Sequence, residues 1–406
     1  MKDFLKNLGP GILVSAAFIG PGTVTVCSLA GVHFGYSLLW ALLISVIACI
    51  ILQEMSARLG LITGKSLSEN IRQELKPPVI RNTVLILIFS AIVIGNAAYE
   101  AGNITGAVLG MEAITGSLNI VIGDFSLNFW SLIIGLFAFL LLWLGTYKKI
   151  EKAFIALVFL MSISFIVTAF LTRPKLSEVL EGFIPQQFNA GLFTIIALVG
   201  TTVVPYNLFL HASLVSEKWN GRKNLPILRK ELVFSIILGG LVSMAILICA
   251  AAADVQGIEN AADLAVGLEP LFGSLAKYFL ALGLLAAGIT SAITAPLAAA
   301  FVVKGCLGWK GGFASGRFKS VWIIVLMLGI IFSGIGLKPV QIINFAQISN
   351  GLVLPIVAFF LFWIVNRRSL MGEDKNTLFQ NILGVAVIAL AFFLGLKSVW
   401  NVIQNW

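Results

Sequence analysis

Charge is what this 406-residue chain has least of: Asp, Glu, Lys and Arg make up 11% of it, and 59% is hydrophobic. A soluble domain carries about a quarter charged residues, so a water-soluble globular fold is excluded. The four cysteines are scattered, with Cys27, Cys49 and Cys249 inside apolar runs and Cys306 at the end of one. None has metal-ligand spacing, so they read as small packing residues rather than a disulfide framework or a zinc site. There is no phosphate-binding glycine loop, nucleophile elbow or zinc-ligand pattern, and no loop is large enough for a soluble catalytic domain. The chain therefore reads as a non-enzyme with no cofactor. A cleavable signal peptide is also missing, because Lys2, Asp3 and Lys6 lead directly into apolar sequence.

What the chain does have is long apolar runs, with a mean hydropathy of +1.01. Eleven candidate membrane spans follow, at about 11–32, 36–57, 82–109, 127–146, 151–172, 190–215, 231–253, 272–303, 319–336, 339–366 and 377–400. The third and eighth are long enough to imply tilt or projection. The net charge of +9 could suggest nucleic acid, but its distribution argues for membrane topology. Of the 27 Lys and Arg, only Arg173, Lys175, Lys277, Lys338 and Lys397 fall in the loops of one side; all the others share the opposite side. That bias puts the N-terminus in the cytoplasm and, with eleven spans, the C-terminus outside, in a multi-pass protein of the cell membrane. The partners expected are the lipid bilayer and a small cargo, with no nucleic acid; nothing in the sequence specifies an oligomer. Between spans 7 and 8, the Ala/Leu pattern from Asn260 to Phe272 predicts a short interfacial helix.

Two spans carry breaks. Span 1 holds Phe18-Ile19-Gly20-Pro21-Gly22-Thr23, and span 6 holds Thr201-Thr202-Val203-Val204-Pro205-Tyr206-Asn207. Within lipid, freed backbone groups must be buried in protein or line a wet cavity. Broken spans of this kind form the midplane sites of secondary transporters, although a tolerated Gly/Pro kink is the simpler reading of either one alone. The five-span separation predicts an inverted five-plus-five repeat within one transmembrane domain covering the chain. Repeat 1 would be about 9–172, repeat 2 about 190–366, and 377–400 an additional span. The fold expected is all-α and integral to the membrane.

Polar residues deep in spans mark a path. Glu100 lies far from either charged loop of span 3, where an ionisable side chain is costly and faces the bundle interior, a partner or water. Asn96, Glu100 and Asn103 follow helical spacing, with Tyr99 beside them, as expected of a solute or proton path; a hydrogen-bonded acid in a packed interface is the alternative. In span 10, Asn344, Gln347 and Asn350 form a second stripe, fit for lining a site or for joining helices. Ser291 and Thr294, ahead of Pro296, read as back-bonding residues. His211 suits either a proton relay or a structural role.

These residues also resemble a known family. Gly9-Pro10-Gly11, Phe18 to Thr23, Phe34-Gly35-Tyr36 and Leu39-Trp40 are similar to span 1 and its exit in the Nramp family of divalent-metal transporters. Leu52-Gln53 with Ser56 to Gly60 and Thr63-Gly64 resembles its span 2, Asn207 to His211 its span 6, and Leu284 to Gly288 with Ser291 and Thr294 its span 8. The resemblance covers nearly the whole chain. It implies a LeuT-type fold, with broken spans 1 and 6, that works by alternating access. The metal site departs from the family pattern. Where the family reads Asp-Pro-Gly-Asn, this chain has Gly20, Pro21, Gly22 and Thr23. Thr201, Val204 and Tyr206 stand at the family's Ala, Met and His, while Gln347 and His211 match it. The missing thioether would have selected soft metals, and the missing aspartate would have offset a bare dication's charge.

Three functions follow. The leading one is transport of a hard, still-hydrated divalent cation such as magnesium, with Glu100, Thr23, Thr201, Gln347 and Asn350 around it through water. No transition-metal site, and no coupling through the family's span 6 histidine, is expected. The second is transport of a small polar organic solute, neutral or cationic, suited by the broken-helix termini, threonines, amides and Tyr206, with Glu100 and the ring of Tyr99 or Tyr206 for a cationic one. In either case the substrate-binding residues expected are Gly20, Thr23, Thr201, Val204, Tyr206, Asn207, Gln347 and Asn350. The third is a membrane receptor or scaffold that transports nothing.

Overall fold

The computed structural model describes residues 19–404 apart from 123–124, 146–147, 186, 189–190, 220, 254, 256, 312–313 and 336. The segment expected to form the first half of span 1, including Gly9-Pro10-Gly11 and Phe18, lies outside the described residues.

The remaining spans are helices. Span 1 is seen from its break onward, as Pro21–Phe34. Spans 2 to 5 are Leu39–Thr63, Pro78–Thr115, Phe129–Leu144 and Lys148–Leu171. Span 6 has two pieces, Leu192–Thr202 and Pro205–Lys218. Spans 7 to 11 are Leu225–Ala251, Ala276–Leu307, Gly316–Gly334, Pro339–Val365 and Leu378–Gln404. Among the described residues, nine helices are long and apolar enough to cross a bilayer, and Phe129–Leu144 is a shorter apolar helix. Spans 2 and 3 run about a turn or more beyond their expected ends. Span 2 stops only at Gly64, a left-handed cap with φ 64° that suits glycine.

The helix expected from Asn260 to Phe272 is interrupted: Ala261–Val266 and Glu269–Phe272 are separated by Gly267 and Leu268. Asn260 opens the first through a capping box with Asp263. Strands Asn119–Ile122 and Phe125–Asn128 pair antiparallel between spans 3 and 4.

Helix pairings repeat after five spans. Span 1 packs on span 7, and its counterpart span 6 packs on span 2; span 3 packs on span 10, and span 8 on span 5; spans 3 and 8 cross each other. The close approaches repeat as well. A Cβ on Gly31 of span 1 would overlap the Leu247 carbonyl of span 7, and one on Gly60 of span 2 would overlap the Ala212 carbonyl of span 6. Glycine is needed at both because only a missing side chain lets the two backbones approach this closely.

The end of the bundle rich in Lys and Arg is tied by ions. Glu54 of span 2 accepts from Arg58 at 3.0 Å and from Arg229 of span 7 at 2.7 Å. Arg58, almost fully buried, also donates to the Asp374 carbonyl and, at 2.6 Å, to Asn376 Oδ1 in the loop after span 10. Asp374 in turn pairs with Arg222 at 3.0 Å. At the opposite end, Lys338 meets Glu259 at 2.8 Å, joining the loop after span 9 to the loop after span 7. Lys338 holds the Glu259 carboxyl below its ordinary range by hydrogen bond and charge.

Candidate functional site

Proline opens the second piece of both broken spans. Pro21 and Pro205 sit at the first helical position, where a missing N–H removes a donor that has no partner in any case. Gly20 before Pro21 is extended (φ −109°, ψ −177°), as is Val204 before Pro205 (φ −73°, ψ 119°). This is the conformation that a following proline imposes. In span 6 the break itself is Val203 and Val204; Thr201 and Thr202 still belong to the first helix.

The breaks meet. Thr23 Oγ1 lies 2.9 Å from Thr201 Oγ1. A Cβ on Gly22 would overlap the Gln347 side-chain amide, and one on Gly200 would overlap the Gln347 carbonyl. Gln347 of span 10 is therefore pressed against both broken spans. Span 3 closes a third side. A Cβ on Gly106 would overlap the Pro21 ring, and the ring of Tyr99 meets that of Tyr206 edge-on, with centroids 5.3 Å apart. Thr23, Thr201, Val204, Tyr206, Asn207, Gln347 and Asn350 are all buried.

Several polar atoms here have no hydrogen-bond partner among the described residues: Gln347 Oε1, Asn350 Nδ2, and both Oδ1 and Nδ2 of Asn207. Each such buried atom costs about 1–3 kcal/mol. Four at one pair of breaks mark a place that a ligand can satisfy. The two half-helix N-termini, at Pro21 and Pro205, add positive dipole ends, and the end of the first piece of span 6 adds carbonyls. The groups on offer are hydroxyls, amides and backbone. Among the described residues, no group of three or more His, Cys, Asp and Glu could hold a metal ion.

The stripe on span 3 divides. Asn96 Nδ2 donates to the Ala295 carbonyl of span 8 at 2.9 Å, and Asn103 Nδ2 donates to Glu100 Oε2 at 3.3 Å. The Glu100 side chain packs on Gly329 of span 9, where a Cβ would overlap its Cγ, and its Oε1 has no hydrogen-bond partner among the described residues. The Tyr99 ring meets Tyr206 of the span 6 break, while the Cβ and Cγ of Glu100 pack on span 9. Among residues of this size on a helix, adjacent positions point about 100° apart, and here that turn decides which span each residue meets. His211 is tethered: its Nδ1 donates to Gln53 Oε1 of span 2 at 2.8 Å. Thr294 Oγ1 back-bonds to the Thr290 carbonyl at 2.9 Å.

Sequence reasoning passed over the glycines at 106, 200 and 329, which carry close contacts between spans. The available signal was isolated glycine within helical runs, which marks close backbone approach.

The family model "Natural resistance-associated macrophage protein-like" (Nramp) matches residues 11–401. The chain is 28% identical, over 433 aligned positions, to the divalent metal cation transporter MntH of Staphylococcus aureus, covering all of this chain and 92% of that one. Among solved structures, the manganese transporter of Eremococcus coleocola superposes with a TM-score of 0.79 at 21% identity, covering 98% of this chain and 87% of that one. More distant folds also match. Mhp1, a nucleobase-cation-symport-1 family transporter, gives 0.60 at 15% identity over 98% of this chain and 93% of its own. MhsT in complex with L-phenylalanine gives 0.58 at 15%, covering 95% and 98%. The shared fold is the LeuT-type all-α membrane transporter fold, and with the family model spanning nearly its whole length, this chain belongs to the Nramp family of membrane transporters.

Proposed function

We propose that the chain is an alternating-access transporter whose cargo is a hard divalent cation that keeps much of its water, such as magnesium. Its site is the meeting point of Gly20 to Thr23, Thr201 to Asn207, and Gln347 with Asn350. The observation that carries this reading is the buried Gln347 Oε1, without a hydrogen-bond partner among the described residues, on an amide whose Nε2 is held against Gly22 beside the Thr23–Thr201 pair. Water on a cation turns its hydrogens outward, so it donates to acceptors of this kind. Kinship supports a cation too, since the MntH relative is a divalent metal cation transporter. A bare transition metal is disfavoured, because no carboxylate, thiolate or thioether stands at the break. The basic end is cytoplasmic by the positive-inside bias, and the C-terminus lies on the other side.

A second reading, a small polar organic solute, has its own support. Asn207 leaves one donor and one acceptor unsatisfied. A hydrated cation answers acceptors, whereas an organic solute with both kinds of group answers each. The Tyr99–Tyr206 pair would form its aromatic wall.

The test is flux of magnesium and manganese into proteoliposomes, followed by an indicator in the lumen, with Gln347→Leu as control and thermal melting to confirm folding. Magnesium uptake lost in the variant supports the first reading. Absence of uptake of either ion by folded protein rejects it, and a thermal-shift panel of polar organic solutes then tests the second.

A further inference from the structure

The charges at the basic end of the bundle fall into two groups. Around spans 2, 7 and 10 they are answered within the protein. Glu54 takes Arg58 and Arg229, Asp374 takes Arg222, Glu74 takes Arg367 at 3.8 Å, and Glu373 takes Arg368 at 3.6 Å. Around spans 4, 5, 8 and 9 the balance is different. Residues 145–152 and 304–319 hold seven Lys and Arg against the single acid Glu151. Among the described residues, none of Lys152, Lys310, Arg317 and Lys319 pairs with a carboxylate.

Arg317 and Lys319 open span 9, at the positive end of that helix, so its dipole adds to their charge instead of offsetting it. Lys319 Nζ stands 4.0 Å from the centre of the Trp143 ring, in the last turn of span 4. Trp143 stacks on Phe139, with centroids 5.7 Å apart and planes 18° apart, and Phe139 meets Trp322 of span 9 at 5.5 Å. Trp322 is buried, Phe139 half-buried and Trp143 50% exposed, so the rings step outward from between the two spans to the lipid face. Nearer the midplane the same two spans touch directly, because a Cβ on Gly135 would overlap the Ile330 side chain. Exposed Leu136, Leu140 and Leu144 continue the lipid face of span 4 at four-residue spacing. Arg367 offers a contrast: it also stands over a ring, Trp363 at 4.5 Å, but Glu74 answers its charge.

We propose that this surface, between the basic ends of spans 4 and 9, holds an anionic phospholipid. The phosphate lies at the Arg317 and Lys319 charges, and an acyl chain runs past the exposed edge of Trp143 along the leucine stripe of span 4. Charge complementarity selects the headgroup. A zwitterionic lipid brings a cation of its own into a region with excess positive charge, whereas an anionic lipid brings the phosphate alone. The Trp143 ring holds the Lys319 ammonium at headgroup depth, which lowers the cost of ordering that side chain when lipid arrives. A lone interfacial lysine that snorkels to water is the plainer arrangement. Here two cations without carboxylate partners share one helix start beside an apolar track. The inference is independent of which cargo the breaks take.

The test is native mass spectrometry of the purified protein in detergent, titrated with phosphatidylglycerol or with phosphatidylcholine of the same chains, beside melting curves in the same mixtures. Phosphatidylglycerol is expected to bind about tenfold or more tighter and to raise the melting temperature. Lys319→Gln is expected to weaken its binding about fivefold, and Lys319→Gln with Arg317→Gln about thirtyfold. Trp143→Leu, which keeps the charges and removes the ring, is expected to weaken it about threefold. Arg367→Gln with Arg368→Gln, at the self-neutralised side, is expected to leave it unchanged. Equal binding of the two lipids overturns the proposal. So does unchanged phosphatidylglycerol binding in the Lys319 and Arg317 double variant when it melts like the parent, or equal weakening by the Arg367 and Arg368 pair. Inorganic phosphate that protects against melting as well as phosphatidylglycerol does, and is lost in the same variants, overturns the lipid as occupant. If the double variant does not fold, Arg317→Gln and Trp143→Leu decide singly.

Discussion

The hydroxyls of Thr23 and Thr201 lie 2.9 Å apart across 178 residues of chain, and they join the two broken spans at the point where each stops being a regular helix. Thr202, the residue after Thr201, instead back-bonds to the Leu198 carbonyl of its own helix. Thr23→Val leaves the Thr201 oxygen buried with one bond fewer and is expected to lower stability by about 1–3 kcal/mol. The double variant Thr23→Val with Thr201→Val should cost less than the sum of the two single changes, because it removes both ends of the bond. Melting in detergent reads the stability, and flux through the same variants tells whether the hydroxyls also serve the cargo.

Glycine at 106 keeps the span 1 break against span 3. Gly106→Ala drives a methyl into the Pro21 ring and is expected to cost about 1–3 kcal/mol by overpacking, with loss of transport as Pro21 is displaced. Gly95 in the same span provides the control. A Cβ there meets Val353 at an ordinary 3.6 Å, so Gly95→Ala should be neutral or slightly stabilising. A pair of melting curves separates the two outcomes.

The amino-acid sequence made much of this legible. Eleven apolar runs, the two Pro-bearing breaks and the five-span offset between them are local or periodic features, and the helices and their exchanged pairings match them. The Asn96 side chain meets the Ala295 carbonyl of span 8. Orientation beyond that was not legible. Glu100 turns to Gly329 on span 9, and Tyr99 next to it turns to the breaks, because the neighbouring span that each meets depends on packing between distant segments. The same holds for Thr23 with Thr201, Gln53 with His211, and the choice of Ser333 over a backbone carbonyl by Thr105. Hydroxyl partners are selected by which helices touch, and a linear pattern does not encode that.

At the basic end, burial separates two arginines that look alike in sequence. Arg58 is 1% exposed and answers Glu54, the Asp374 carbonyl and Asn376; the Arg222 side chain is 68% exposed and meets only Asp374 among its ion pairs. Arg58→Leu leaves Glu54 to Arg229 but strands the Asp374 carbonyl and Asn376 Oδ1, and is expected to destabilise by about 1–3 kcal/mol. Arg222→Ala should cost less than about 1 kcal/mol, and less still in high salt. Chemical denaturation at two salt concentrations tests both.

The Glu259–Lys338 pair gives a pH signature at the opposite end. Lys338 depresses the Glu259 pKa, so the contribution of the pair is present above the unfolded carboxyl pKa, about 4.3, and is lost as pH falls through the lower folded value. Carbon NMR of labelled glutamate should show Glu259 titrating below free glutamate, and Lys338→Met should return it to the ordinary range. Both groups are well exposed, so the shift should shrink as salt is raised.

Restoring the ligands that Nramp proteins place at the breaks tests whether this scaffold has changed its cargo chemistry alone or its geometry as well. Gly20 is extended with a negative φ, a conformation any residue adopts, so Gly20→Asp is not blocked by the backbone. The added carboxylate supplies the charge that a dehydrated dication needs, Thr23→Asn adds an amide oxygen, and Val204→Met adds a thioether that favours soft metals over magnesium and calcium. The triple variant is expected to bind manganese where the parent does not, with Gly20→Asp alone giving weak binding and Val204→Met alone giving none. Isothermal titration measures each, and manganese spin resonance reports the bound ion directly. Binding that appears only in the triple variant means that the breaks still hold the family's spacing and that side-chain identity sets the cargo. If folded triple variant takes up no manganese, the Thr23–Thr201 contact and the pressed Gln347 amide have closed the space a bare ion would fill, and the departure from the family lies in the packing of spans 1, 6 and 10.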